Sequence, residues 1–289
     1  MSIYGTYDGC VTVDKTLNLI GESRDGVIVD GGGTVDCFCV AADYVSIDTF
    51  TIINGWFHGI IISGYSDNVI TNCNIHNGGY GIHLTGSSNN NFIDCDVYNF
   101  DMAYGMYIGT SPNNNFIDCK VHDNAFGFNL DGSPGCNFIN CEAWNNDGYG
   151  ISLVSSSNSD ITGCDLHDND NAGINIMASS DVTVTDCDVH DNNNGIYLTW
   201  GSDNNLIYHN NLVGNTQNGY DQGHPNQWDD GIGEGNYWDD YTGVDGNGDG
   251  IGDTPYLIPY QSGNDQSQDN YPLMAPYSPP ALIGDFNSD

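Results

Sequence analysis

The stretch NFIDCDVYNFDMAYGMYIGTSPNNNFIDCKVHDNAFGFNL, residues 91–130, states one phrase twice. Asn-Phe-Ile-Asp-Cys stands at 91–95 and again at 115–119, and each copy is followed by a Gly-apolar-x-apolar burst, GMYI at 105–108 and GFNL at 127–130. The register extends in both directions, through Cys73, Cys95, Cys119, Cys141, Cys164 and Cys187, at spacings of 22, 24, 22, 23 and 23 residues. Three residues before each Cys stands an apolar side chain (Ile70, Phe92, Phe116, Phe138, Ile161, Val184), and two after it another (Ile75, Val97, Val121, Ala143, Leu166, Val189). The second burst recurs as GIHL at 81–84, GISL at 150–153, GINI at 173–176 and GIYL at 195–198, with GIII at 59–62 in the same slot.

A unit of this size is too short to build a hairpin sheet with its own core. It is the length of one coil of a parallel β-helix, in which each strand pairs with its equivalent in the next coil and the inward apolar pairs form one continuous core. About nine coils fit between residues 10 and 212. The expected fold is therefore all-β, a single-stranded parallel β-helix over 1–215, with a loop-rich closing cap over 216–280 and the beginning of a further motif over 281–289.

Composition narrows the partners. The chain of 289 residues carries 39 Asp and Glu against 3 Lys and Arg, a formal charge of −36. With Lys15, Arg24 and Lys120 as the whole basic complement, nucleic acid is excluded, since neutralising phosphates needs clustered cations. An anionic membrane surface is excluded on the same ground, and anionic polymers are repelled. Asp, Asn and the 38 Gly are turn formers. No apolar run is long enough to span a bilayer. The start, MSIYGTYDGC, lacks a basic-then-apolar leader, and GDFNSD at the end breaks off inside a motif, so the natural chain is expected to continue beyond both ends.

The coil pattern, the opening GTYDGCVTVDKTLNLIGESRDGVIVDGGG (5–33), and the closing GNYWDDYTGVDGNGDGIGDTPYLIPY (235–260) with DNYPLMAPY (269–277) together resemble the NosD-like right-handed parallel β-helices over nearly the whole chain. The resemblance implies a right-handed coil and an extracytoplasmic, cell-surface or extracellular home. Members of that family are carbohydrate-associated or copper-associated.

Ten Cys in an exported chain first suggest disulfides. Residues at one position of successive coils, however, stack about 4.8 Å apart with parallel Cβ vectors, which is the wrong geometry for a bridge. The six register cysteines are read as a reduced, buried ladder. One bridge among Cys10, Cys37 and Cys39 stays open, and Cys136 has no assigned role. Three residues after each ladder Cys comes His76, Tyr98, His122, Trp144, His167 or His190. Positions i and i+3 on a strand face opposite sides, and Tyr98 and Trp144 interrupt a ligand series, so stacking outside the rod is expected here in preference to copper or zinc binding.

The outward positions of the second burst, His83, Tyr107, Asn129, Ser152, Asn175 and Tyr197, form a mixed aromatic and polar stripe; His83, Tyr107, Asn129 and Tyr197 are the candidate sugar-binding residues against the alternative of an ordinary solvated face. Catalysis finds weaker support. Lys120 is the one basic candidate in mid-rod, and a His83–Tyr107 acid–base pair on adjacent coils would need no positive field.

Asp245, Asn247, Asp249 and Asp253 place oxygen side chains at positions 1, 3, 5 and 9 of a loop, with Ile251 offering a carbonyl and Gly250 allowing the turn. Calcium (Ca2+) is the expected ion, held modestly because Tyr256 stands where a bidentate Glu would close the site. Asp285, Asn287 and Asp289 repeat positions 1, 3 and 5 and resemble the start of a dockerin-type calcium repeat, which implies a cohesin-like partner if the chain continues. The reading is of an extracellular calcium-binding β-helix, a surface or matrix module contacting neutral glycan or a partner protein. The alternative is a polysaccharide-active enzyme (lyase, epimerase or hydrolase), and the third is a copper-handling protein.

Overall fold

The computed structural model describes residues 2–3, 5–222, 226–260 and 266–278; Asp285, Asn287 and Asp289 lie outside the described residues. The chain winds as a parallel β-helix. One sheet stacks ten strands from Ser2–Ile3 to Leu206–Tyr208, each pairing in parallel with its neighbours. That is one coil more than the repeat suggests, because Ser2–Ile3 pairs with Ile20–Gly21 ahead of the cysteine register. Among the described residues no helix is long and apolar enough to cross a membrane.

The core follows the sequence pattern position by position. The apolar residues before and after each ladder Cys are buried, as are the paired residues of each second burst, such as Ile82 with Leu84 and Met106 with Ile108. Phe92, Phe116 and Phe138 lie in register and stack with ring centroids 5.4 and 4.9 Å apart. The ladder cysteines are buried free thiols that donate to backbone carbonyls, Cys119 to Phe92 and Ile117 at 3.4 Å each. Cys136 is buried in a column of small polar residues, its N–H donating to Ser159 Oγ at 3.2 Å. Cys10 and Cys39 are free thiols with sulfurs 3.0 Å apart, while Cys37 donates to the Ile53 carbonyl at 3.1 Å.

The abundance of Asn and Asp has a backbone cause. The residue after each outer ring (Asn77, Asn99, Asp123, Asn145, Asp168, Asp191) turns the chain with φ between 52° and 62°, a region these side chains tolerate better than most. The next Asn points inward. Asn124, Asn146, Asn169 and Asn192 each donate from Nδ2 to the Oδ1 of the following coil's Asn, at 3.1, 2.9, 3.0 and 3.1 Å, which satisfies polar groups a corner would otherwise bury unpaired. The glycine opening each second burst permits close approach between coils: a Cβ on Gly105 would stand 2.5 Å from Val121 Cγ1.

The segment after the last coils folds over the end of the rod. Trp228 and Trp238 are buried there, and their indole N–H groups donate to Asp221 and Asp269 at 3.0 and 2.8 Å. Asp269 also accepts the Asn236 and Tyr271 backbone N–H groups at 2.8 and 2.9 Å. Tyr256 stacks on Trp238 at 4.1 Å, and Tyr277 stacks on His209 at 4.0 Å.

Candidate functional site

The sequence-predicted stripe is real in register. His83 aligns with Tyr107, then Asn129, Ser152, Asn175, Tyr197 and Tyr220 on successive coils. Asn129 continues the line between the rings, and Ser152 and Asn175 are buried within it, the Asn175 amide donating to Ser152 Oγ at 3.0 Å.

Beside it runs a second column that sequence reasoning missed. In four successive coils the strand is unbroken round the corner, over Thr51–Ser63, Asn74–Thr85, Asp96–Gly109 and Lys120–Asp131, with register shifts at Gly78/Tyr80 and Phe100/Tyr104. The residue before the glycine of each second burst therefore stands next to the stripe. These residues are His58, Tyr80, Tyr104, Phe126 and, one coil on, Tyr149, with successive centroids 5.7, 5.8, 4.9 and 6.2 Å apart. The signal was legible as HG, YG, YG, FG and YG at 58, 80, 104, 126 and 149.

The two columns converge at His83. Its ring lies 4.8 Å from that of His58, 5.3 Å from Tyr80 and 5.1 Å from Tyr107, the last edge-on at 85°. His83 Nδ1 and His58 Nε2 are 2.9 Å apart, and His58 Nδ1 is 3.1 Å from Asp36 Oδ2. Burial, with a smaller contribution from His58, pushes the His83 pKa down to about 4, so the ring is neutral near pH 7. Burial first and the Asp131 carboxylate second raise Tyr107, whose hydroxyl donates to Asp131 at 3.3 Å. Trp56 and Phe57 are exposed at the rim. At the other end, Tyr149, Asn175, Tyr197, Trp200 and Tyr220 line a shallow concavity of about 600 Å³, in which Tyr197 and Tyr220 stack at 4.7 Å.

Lys120 belongs to a different environment: Glu142 holds its ammonium at 2.8 and 3.0 Å. The outer rings form the expected column, His76, Tyr98, His122, Trp144, His167 and His190, with centroids 4.1 to 5.8 Å apart and planes within 13° of parallel. Asp96 and Asp123 occupy the nitrogens of His122, and Asp165 and Asp191 those of His190.

In the loop 245–253 the Asp245 carboxylate accepts the N–H groups of Gly248, Asp249 and Gly250 at 2.6, 3.2 and 2.9 Å. Asp253 accepts that of Gly246 at 2.8 Å, and Asn247 and Asp249 pair at 2.9 Å. The Ile251 N–H is taken by Asp249 at 3.0 Å. Among the described residues no three His, Cys, Asp or Glu side chains are grouped so as to hold a metal ion. The six ladder thiols are buried, and the imidazoles of the outer column stack face to face on their neighbours.

Among solved structures, the fold is similar to the A-module of a mannuronan C-5 epimerase from Azotobacter vinelandii, with TM-score 0.68 and 18% identity over 78% of this chain and 76% of that one. It is also similar to a pectate lyase, with TM-score 0.64 and 19% identity over 79% and 70% of the two chains. Likeness at such identity concerns the fold alone. A curated relative, the "Probable ABC transporter binding protein NosD" of Stutzerimonas stutzeri, is 48% identical over 63 residues, covering 22% of this chain and 14% of the relative. Residues 42–243 match the family described as "Periplasmic copper-binding protein (NosD)", a span holding most of the coils, and the chain belongs to that family.

Proposed function

We propose that this protein is an exported β-helix that binds neutral polysaccharide along the aromatic face running from His58 to Tyr220. The observation that carries this reading is the pair of adjoining ring columns, His58–Tyr80–Tyr104–Phe126–Tyr149 and the stripe from His83 to Tyr220, aligned with the rod axis. Seven coil steps at about 4.8 Å make a track of roughly 34 Å, long enough for several pyranose units in line. Tyrosine faces accept sugar C–H surfaces, and the half-buried amide of Asn129 suits uncharged hydroxyls. The charge of −36 disfavours a polyanion. The names of the fold neighbours, a mannuronan epimerase and a pectate lyase, agree with a polysaccharide ligand but name polyanionic ones, so the preference for a neutral chain rests on the charge of this protein alone, and the family's description agrees with export.

Calcium is proposed at the loop carrying Asp245, Asn247, Asp249, Ile251 and Asp253. Its support is the alternate spacing of five oxygen-bearing residues within nine positions of the sequence.

The test is affinity electrophoresis on a panel of neutral and acidic polysaccharides. Retardation by one or more neutral members is expected, weakened at least tenfold by Tyr104→Ala and by Tyr197→Ala, with charged polymers ineffective. Equal binding by both variants would remove the aromatic face from the account.

A further inference from the structure

We propose that the His83 end of this face is catalytic and carries out β-elimination in a neutral, esterified uronan, with His83 as base and Tyr107 as acid. The inference rests on the glycan reading and adds chemistry to it.

The geometry fixes which nitrogen of His83 is free. Asp36 Oδ1 accepts the backbone N–H groups of Phe57 and His58 at 3.1 and 2.9 Å, which holds the carboxylate in place. Its Oδ2 faces His58 Nδ1 at 3.1 Å. An ionised carboxylate only accepts, so His58 Nδ1 carries the proton and Nε2 the lone pair. His83 Nδ1, 2.9 Å from that lone pair, must then donate. His83 Nε2 is left with its own lone pair, the same tautomer control that a carboxylate exerts on the histidine of a Ser-His-Asp triad. Asp36 and His58 are positioning residues; His83 is the catalytic one.

The acid stands one coil away. Tyr107 meets His83 edge-on, and its raised pKa keeps the phenol protonated at neutral pH. The groups facing His83 are His58 and Asp36 on one side, Tyr80 on its own strand, and Tyr104 and Tyr107 on the next coil with Asp131 behind. At pH 7 the base is empty and the acid loaded, which general acid–base chemistry requires.

Two features narrow the substrate. The charged groups at this site are carboxylates, Asp36 and Asp131, while Arg24 is engaged by Asp94 at 2.8 Å and Lys120 by Glu142. An ionised uronate is repelled here, and its carbanion would gain a second negative charge. Esterification removes the first charge and acidifies C5–H. In addition, base and acid project from one face of one sheet, so the hydrogen on C5 and the oxygen on C4 must leave from the same side of the sugar. That is the arrangement of manno- and gluco-configured uronates.

The step balances without a co-reactant. His83 Nε2 takes the C5 proton, the C5–H electron pair becomes the C4–C5 double bond, and the C4–O4 bond breaks. Tyr107 protonates the departing O4, and the proton on His83 returns to the Tyr107 phenolate through solvent.

The test uses the whole chain with mannuronate-rich alginate, as its propylene glycol ester and as the free acid. The expected result is ultraviolet-absorbing unsaturated ends from the ester and none from the acid. Tyr107→Phe and His83→Gln should each lose on the order of 10²-fold or more in kcat, with ester binding retained. Tyr107→Phe keeps the ring and so preserves packing. His58→Gln should lower kcat at constant KM and shift the acid limb of the pH profile, which a purely structural role would not do. Ester bound but not cleaved by the wild type, or full rate in Tyr107→Phe, overturns the elimination and leaves the glycan reading standing. Failure to bind any polysaccharide overturns both.

Discussion

At the residue scale, Asp269 shows how a carboxylate can be structural. It is fully buried and accepts three N–H donors, from Asn236, Trp238 and Tyr271. Burial outweighs these bonds and pushes its pKa from 3.8 up to about 6. Because the folded value is raised, the stability it contributes is fully present below pH 3.8 and is lost as pH rises through about 6. Asp269→Asn turns an amide donor toward a backbone donor and should cost about 2 kcal/mol. In urea denaturation, the wild type's advantage over this variant should widen by on the order of 2 kcal/mol between pH 7 and pH 4; a pH-independent gap would contradict the assignment. The wild type is the right reference, since the other acids titrate equally in both proteins.

At the scale of the element, the outer ring column behaves as a unit. Burial disfavours protonation of His122 and His190, yet Asp96 and Asp123 around the first, and Asp191 and Asp165 around the second, outweigh it and raise both values. A raised histidine contributes stability that is complete below its unfolded value near 6.5 and is lost as pH rises through the folded one. The difference in melting temperature between the wild type and the double variant His122→Phe/His190→Phe should therefore favour the wild type more at pH 6 than at pH 9. A gap that stays constant would mean the column acts by stacking alone. The column was readable in sequence because its period is that of the coil. The hydrogen-bonded chain Asp36–His58–His83 was only half readable. His83 and Tyr107 share a repeat position, but Asp36 lies in a turn with no counterpart in later coils, and His58 joins the site because its strand continues round the corner.

For the whole molecule, the charge of −36 divides between corners and loops. Corner carboxylates such as Asp123 and Asp168 turn the backbone and bond to neighbouring rings. The closing segment concentrates others around 245–253. If calcium binds there only in the folded state, a 100-fold excess over Kd adds about 2.7 kcal/mol. Chelation should then lower the melting temperature, and Asp245→Ala should abolish the difference; an identical Tm with and without chelator would remove calcium from the protein's stability.

The sequence alone determined the solenoid, its coil boundaries, its inward residues and the reduced cysteine ladder, because each is a one-dimensional repeat whose pairing partner is always one period away. The tertiary structure decided what lies across the repeat. Corner length sets whether two strands merge, and merging brings the ring before each glycine beside the ring after it. The hydrogen bonds from Asp36 through His58 to His83 join residues at different repeat positions, and the caging of Lys120 by Glu142 depends on which side chains meet between coils. Such contacts depend on distance in space, and a periodic sequence specifies that distance only along the axis of the rod.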